Sequence, residues 1–270
     1  MFFFKDGGRV MLGVYFSGTG NTAYCIRRLL DGIDKNAQLI SIEDPTILDK
    51  LAQHEEVIFA YPIYYSNLPK LVRDFLTQHA NLFHGKRVYI LVTMGLFSGD
   101  GSGCAARMLS SFGAHILGGL HIKMPDCIAD EKALKRSYDK NLDLIKKANE
   151  KIDHAVICYR NKTYTKEGLG FWYHLAGLFG QRLWFYGKTK HYSDRLHIDA
   201  QSCILCQSCI KKCPMQNLVF EHGAVIAKDR CTMCYRCINV CPKQSITLLG
   251  KRVVQQHHIN EYLSEGNHIQ

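Results

Sequence analysis

Apolar runs and amphipathic stretches alternate along the first 152 residues. Residues 10–16, 38–42, 57–61, 87–93 and 115–122 are short, apolar and rich in β-branched and aromatic side chains. Such runs are typical of strands buried on both faces. Between and after them, apolar residues recur at helical spacing over about 23–30, 47–53, 68–78, 105–112 and 131–152. Five strands alternating with five helices predict an α/β fold, an open, doubly wound five-stranded parallel sheet with helices on both faces.

The pattern changes after residue 152. Residues 153–190 are aromatic-rich: Trp172, Ala176, Phe179, Leu183 and Tyr186 fall on one side of a helix, and Phe171, Leu178 and Phe185 on another. Apolar residues on more than one side favour a linker helix buried between two domains, and a one-sided interfacial membrane or partner-docking helix is the alternative. Residues 191–250 form a second, small α+β unit. In it 218–220 and 224–226 flank Glu221-His-Gly223 as a hairpin, and 246–249 is a further strand. Residues 1–9 read as an extension, 10–152 as the sheet domain and 251–270 as a tail whose histidines lie at the surface.

The first predicted strand runs directly into Ser17-Gly18-Thr19-Gly20-Asn21-Thr22 and then into a helix. Strand, small-residue loop, helix is a geometry that aims backbone N–H groups and a helix N-terminus at a phosphate. The hydroxyls of Ser17, Thr19 and Thr22 and the amide of Asn21 could add donors. No Lys-Ser/Thr ends the loop and no GxGxxG is present, so neither a Walker A site nor a dinucleotide fingerprint is indicated.

Loop and topology together resemble the flavodoxins. That resemblance implies strand order 2-1-3-4-5 and FMN at the switch point, its phosphate on Ser17–Thr22. It also implies that the loops after the third and fourth strands hold the flavin ring. The first carries Pro62, Ile63, Tyr64, Tyr65, Ser66 and Asn67, and the second Thr93, Met94, Gly95, Phe97, Ser98, Gly99 and Asp100. Aromatics there could flank the ring, and small residues with backbone amides could bond its edge.

Twelve cysteines are present, and eight form two runs, Cys203-x2-Cys206-x2-Cys209-x3-Cys213-Pro and Cys231-x2-Cys234-x2-Cys237-x3-Cys241-Pro. Each cysteine of the first run recurs 28 positions later, an internal duplication. Both runs follow the pattern of bacterial two-cluster ferredoxins. Three thiolates within seven residues can wrap three irons of a cubane, and the fourth iron needs a more distant ligand. The ferredoxin resemblance implies that it comes from the other run: Cys203, Cys206, Cys209 and Cys241 on one [4Fe–4S] cluster, and Cys231, Cys234, Cys237 and Cys213 on the other. Structural zinc prefers two separated pairs of ligands, and disulfide frameworks belong to small secreted chains. Cys25, Cys104, Cys127 and Cys158 share no spacing and read as buried or free thiols, which points to a reducing compartment.

Composition adds little beyond this. The hydrophobic share of 47% is that of an ordinary globular protein. The opening Met1-Phe-Phe-Phe4 is too short for a signal peptide, and no apolar run of spanning length occurs. A cytoplasmic location is the expectation. The net charge of +10 is spread thinly and densest over 153–190. It favours acidic partners or anionic surfaces, and no motif that reads nucleic acid is present.

Residues 10–250 as a whole resemble proteins in which a flavodoxin-like domain is fused to a two-cluster ferredoxin, the loop Phe97-Ser98-Gly99-Asp100-Gly101 included. One departure is that Gln207 and Tyr235 stand after the second cysteine of each run, where such ferredoxins often have Gly. Arg236 also lies inside the second run, and a nearby cation favours the reduced cluster and raises its potential. FMN trades electrons singly or in pairs while a cluster passes one, so the pairing implies an electron converter between a redox-protein donor and acceptor. A flavin-dependent reductase of a small molecule, fed by the clusters, is the alternative. No catalytic dyad, nucleophile or NAD(P) unit is evident, and peripheral membrane contact is possible but not favoured.

Overall fold

The computed structural model describes residues 11–64, 67–96, 100–126, 134–177, 179, 196–248 and 258–266. Five parallel strands form its central sheet: β1 (Leu12–Tyr15), β2 (Gln38–Ser41), β3 (Glu56–Pro62), β4 (Arg87–Met94) and β5 (His115–Lys123), in the order β2-β1-β3-β4-β5. Strand alternation sends Val57, Phe59 and Tyr61 to one face and Ile58 and Ala60 to the other. The first face is covered by α2 (Ile47–Gln53), α3 (Lys70–Gln78) and α4 (Gly101–Ser111). On the second lie α1 (Asn21–Ile33) and α5 (Tyr138–Arg160). Both faces are buried, which is why the strands read as continuous apolar runs.

The last helix of the sheet domain differs from the expected 131–152. It starts at Tyr138, after Ser137, and runs on to Arg160, because Ala155, Val156 and Tyr159 extend its buried stripe. The chain then returns along the outer edge of β5. Gly119 N–H donates to Thr165 O (2.8 Å) and Glu167 N–H to Gly119 O (3.0 Å). This strap covers backbone groups that an edge strand would otherwise leave open. It fits because β5 presents two glycines: a Cβ on Gly119 would lie 2.5 Å from Glu167 O, and one on Gly118 would collide with Thr165 O.

The aromatic helix α6 (Phe171–Gly177) follows, and its outer side is not buried. Phe171 is 67% exposed and Trp172 78%, and Tyr173 is exposed as well. What holds it is on its inner side, where His174 Nδ1 lies 2.9 Å from Asp100 Oδ2 and Gly177 abuts the same carboxylate. The expectation of a helix buried between domains is corrected for these three aromatics. Trp184, Phe185 and Tyr186 lie outside the described residues.

The cysteine-rich unit has its own small core, with β6 (His197–Ile198) antiparallel to β9 (Ile246–Thr247) and a hairpin of β7 (Leu218–Glu221) and β8 (Ala224–Ala227). The duplication is visible in the backbone. Leu205 and Met233, Gln207 and Tyr235, and Gln216 and Gln244 are left-handed pairs 28 residues apart, all with φ between 49° and 58°. Gln207 and Tyr235 occupy the position where a glycine is common. Each bears a cost of about 1–2 kcal/mol for that conformation.

The C-terminal tail contains a helix, Ile259–Gly266. Ile259 and Tyr262 are buried in the second face of the sheet domain. Tyr262 accepts from Asn141 Nδ2 (2.8 Å) and stacks on Tyr138. Among the described residues no helix is long and apolar enough to cross a membrane.

Candidate functional site

Ser17–Thr22 lies between β1 and α1, at the end of the sheet where the strand order reverses. Gly20, at φ +103°, turns the chain into the helix, and its N–H donates to Ser17 Oγ (3.0 Å). The first turn of α1 carries no acidic residue, which suits an anion at its positive end. The Thr22 hydroxyl is committed to Thr93 Oγ1 (2.7 Å), both residues being buried, and Asn21 Nδ2 donates to Pro125 O (2.8 Å). These two side chains lock the loop to the neighbouring strand ends.

The two ring loops are brought side by side by β3–β4 pairing, in which Pro62 is opposite Thr93 and Ile63 N–H donates to Thr93 O (2.8 Å). Tyr64 and Asn67 bridge each other through both backbone groups. Tyr65, Ser66, Phe97, Ser98 and Gly99 lie outside the described residues. Met94 is packed in the core, and Gly95 is covered by Leu134. Asp100 is fully buried and turned toward Arg107 Nη2 (2.7 Å) and His174. It thus ties its loop to α4 and α6.

Behind Asp100, His121 is half-buried on β5. Ser102 N–H donates to His121 Nε2 (3.2 Å), with Ser102 Oγ at 3.0 Å, and Ser102 Oγ also bonds Glu167 O of the strap. Burial pushes the imidazole down to about 4, so it is neutral at pH 7. Sequence periodicity could not single it out, because it sits in an apolar strand whose neighbour is supplied by residues 46 positions later.

The cysteines divide between two cavities. Cys203, Cys206, Cys209 and Cys241 line one, with Ile198, Val225 and Ile246 behind them. Cys213, Cys231, Cys234 and Cys237 line the other, with Leu196, Leu218 and Leu248. Each cavity therefore takes three thiols from one run and the last thiol of the other. Among the described residues, no group of three or more His, Cys, Asp or Glu side chains is arranged to hold a single metal ion. Four thiols spread round a cavity suit a multi-iron cluster better than a lone zinc. Backbone N–H groups already reach these sulfurs, from Asn217 to Cys213 (3.3 Å), Met233 to Cys231 (3.4 Å) and Ser245 to Cys241 (3.4 Å).

The thiols differ in burial: one of the first cavity, Cys206, is exposed, and none of the second is. Burial pushes the Cys231 and Cys237 thiols up and Cys234 to about 11, so a thiolate there needs a cationic partner such as iron. Cys206 lies at the surface, where the Ser208 N–H draws its thiol down.

The second cavity abuts the flavin loops. The Cys234 carbonyl accepts from Tyr64 Oη (3.4 Å), and a Cβ on Gly18 would lie 2.7 Å from that carbonyl and would collide with Tyr64 Oη. Arg236 Nη2 donates to Ser17 O (2.8 Å) and Nη1 to Lys212 O (3.3 Å), and the guanidinium lies 5.6 Å from the Phe16 ring centre. One side chain thus touches the phosphate loop and both cysteine runs.

A doubly wound sheet with a phosphate-type loop, joined to a duplicated four-thiol unit, defines an iron–sulfur flavoprotein architecture. The flavodoxin domain model matches residues 12–109, and the 4Fe-4S dicluster domain model matches 195–242. The chain joins these two domains as a flavodoxin–ferredoxin fusion, with FMN implied by the first and iron–sulfur clusters by the second. No curated protein matches it. Among solved structures it is similar to a flavodoxin from the domain Archaea, at 22% identity over 54% of this chain and 98% of that one, with a TM-score of 0.39. It is also similar to two-electron reduced Megasphaera elsdenii flavodoxin (21%, 54% and 100%, TM-score 0.39). A third is Fusobacterium nucleatum flavodoxin bound to flavin mononucleotide (12%, 56% and 98%, TM-score 0.41).

Proposed function

We propose that this protein transfers electrons between its two [4Fe–4S] clusters and FMN, and on to a redox partner. The observation that carries this reading is the contact of Cys234 with both Gly18 and Tyr64, which joins the second cluster cavity to the phosphate and ring loops. The clusters supply one-electron chemistry and FMN one- or two-electron chemistry. The residues supply the order. The cavity of Cys203, Cys206, Cys209 and Cys241 carries the exposed Cys206 beside exposed Ile204 and Leu205, and the cavity of Cys213, Cys231, Cys234 and Cys237 carries Cys234 against the flavin loops. Lys211, Lys212 and Lys243 are exposed around the first cavity, a surface suited to an acidic redox protein.

The test is stopped-flow reduction of the flavin by a low-potential protein donor, with absorbance followed in the wild type, Cys206→Ser and Cys231→Ser. Loss of either cluster should slow flavin reduction at least tenfold while FMN stays bound. Unchanged rates in both variants would remove the proposed route. Saturable turnover of one small molecule by the reduced protein, faster than transfer to any protein acceptor, would favour the flavin-dependent reductase instead.

A further inference from the structure

We infer that Asn217 and Ser245 are side-chain hydrogen-bond donors to the two iron–sulfur clusters. Asn217 Nδ2 serves the cluster held by Cys213, Cys231, Cys234 and Cys237, and Ser245 Oγ serves the cluster held by Cys203, Cys206, Cys209 and Cys241. The inference rests on the cluster reading and not on the direction or partner of electron flow.

Among the described residues, four buried side-chain polar atoms lack a hydrogen-bond partner, and two of them are Asn217 Nδ2 and Ser245 Oγ. The two residues are 28 positions apart, in phase with the cysteine duplication, and each stands four residues after the last cysteine of its run. They are 1% and 2% exposed, and each lines one cluster cavity.

Their other groups are already used. Asn217 Oδ1 accepts from Arg230 N–H (2.6 Å), which fixes the side-chain amide with Nδ2 as its remaining edge. Asn217 O accepts from Lys228 N–H, and Ser245 O accepts from Asp199 N–H, both at 2.8 Å. The backbone N–H of each residue donates to a ligand sulfur, which places the residue against its cavity.

A buried donor left unpaired costs about 1–3 kcal/mol, and a small apolar residue at either position would avoid that cost. Thiolate and sulfide sulfur in the cavity supply the missing acceptor. A donor to those sulfurs stabilises the reduced, more negative cluster and so raises its potential.

The test uses the anaerobically reconstituted full-length chain. In Ser245→Ala and Asn217→Ala, iron and sulfide content should remain at the wild-type level. EPR-monitored titration should then show a shift to more negative potential confined to the cluster next to the altered residue. Ser245→Thr keeps the hydroxyl and should restore the wild-type potential. Unshifted potentials in both alanine variants, with both clusters intact, would overturn the inference. If Asn217→Ala loses iron, wild-type protein carrying side-chain-amide 15N asparagine decides that position. A 15N coupling on the reduced cluster supports the donor, and its absence rejects it. Wild-type protein that takes up no iron would refute the cluster reading itself.

Discussion

Arg236 and Glu43 face each other as a two-bond ion pair, Nη1 to Oε1 and Nη2 to Oε2, both at 2.8 Å. Arg236 belongs to the second cysteine run and Glu43 to the turn after β2, so the pair fastens the cluster unit to the flavin unit. It also alters the expectation that Arg236 would act as a nearby cation on its cluster, because a carboxylate now offsets that charge. Glu43→Gln should unmask the guanidinium and move the potential of the cluster in the second cavity in the positive direction. A double-mutant cycle with Arg236→Met, read by denaturant unfolding of the loaded protein, should give a coupling of about 1–2 kcal/mol for a pair this shielded.

Gly18→Ala tests the seam between the units more sharply. A methyl group there meets the Cys234 carbonyl and the Tyr64 hydroxyl together, and carbonyl backbone cannot swing aside as a long side chain can. FMN affinity, followed by fluorescence quenching, should fall at least tenfold. Thr19→Ala, which removes one hydroxyl and adds nothing, should fall less.

Cys213→Ala should cost the cluster of Cys231, Cys234 and Cys237, and Cys241→Ala the other one. In each case iron should drop from about eight to about four atoms per chain. Loss of the cluster built by the mutated residue's own run, with the other intact, would contradict the arrangement of thiols round the two cavities.

The half-buried His121 makes stability sensitive to acid. Its folded pKa of about 4 lies below the ordinary value of 6.5, so the unfolded chain binds the extra proton first. The stabilisation is complete above pH 6.5 and is lost as pH falls toward 4, by on the order of 3 kcal/mol across that window. His121→Asn should flatten the acid limb of a thermal-stability profile.

Trp172 should report an open surface. In a Trp184→Phe background its emission should be red-shifted and readily quenched by acrylamide. A blue-shifted, protected emission would return α6 to the buried position that its sequence suggests.

Much of this was legible in the chain because two signals are strong. Five apolar runs each long enough for one buried strand left few arrangements other than a doubly wound sheet. The 28-residue phase of the cysteines carried through to the left-handed backbone at Gln207 and Tyr235. The strap was not legible, since residues 163–167 have no period of their own and fit only because Gly118 and Gly119 leave room. The helix of Ile259 and Tyr262 was hidden for a similar reason: eight residues make too short a pattern, and their burial depends on a surface formed by α1 and α5. Trp172 misled because aromatic content reports a tendency to be covered, while the side from which α6 is held is set by Asp100 and His174.

That last helix bears on the order in which the protein can be made. Ile259 lies against Gly20, with its Cγ2 3.1 Å from where a Cβ would stand, and Tyr262 completes the packing over Tyr138. Both residues are translated after all eight cysteines of the two runs. A ribosome therefore releases the whole cluster unit before the flavin unit can close its second face, and the phosphate loop gains these surroundings only after both cysteine runs have been made.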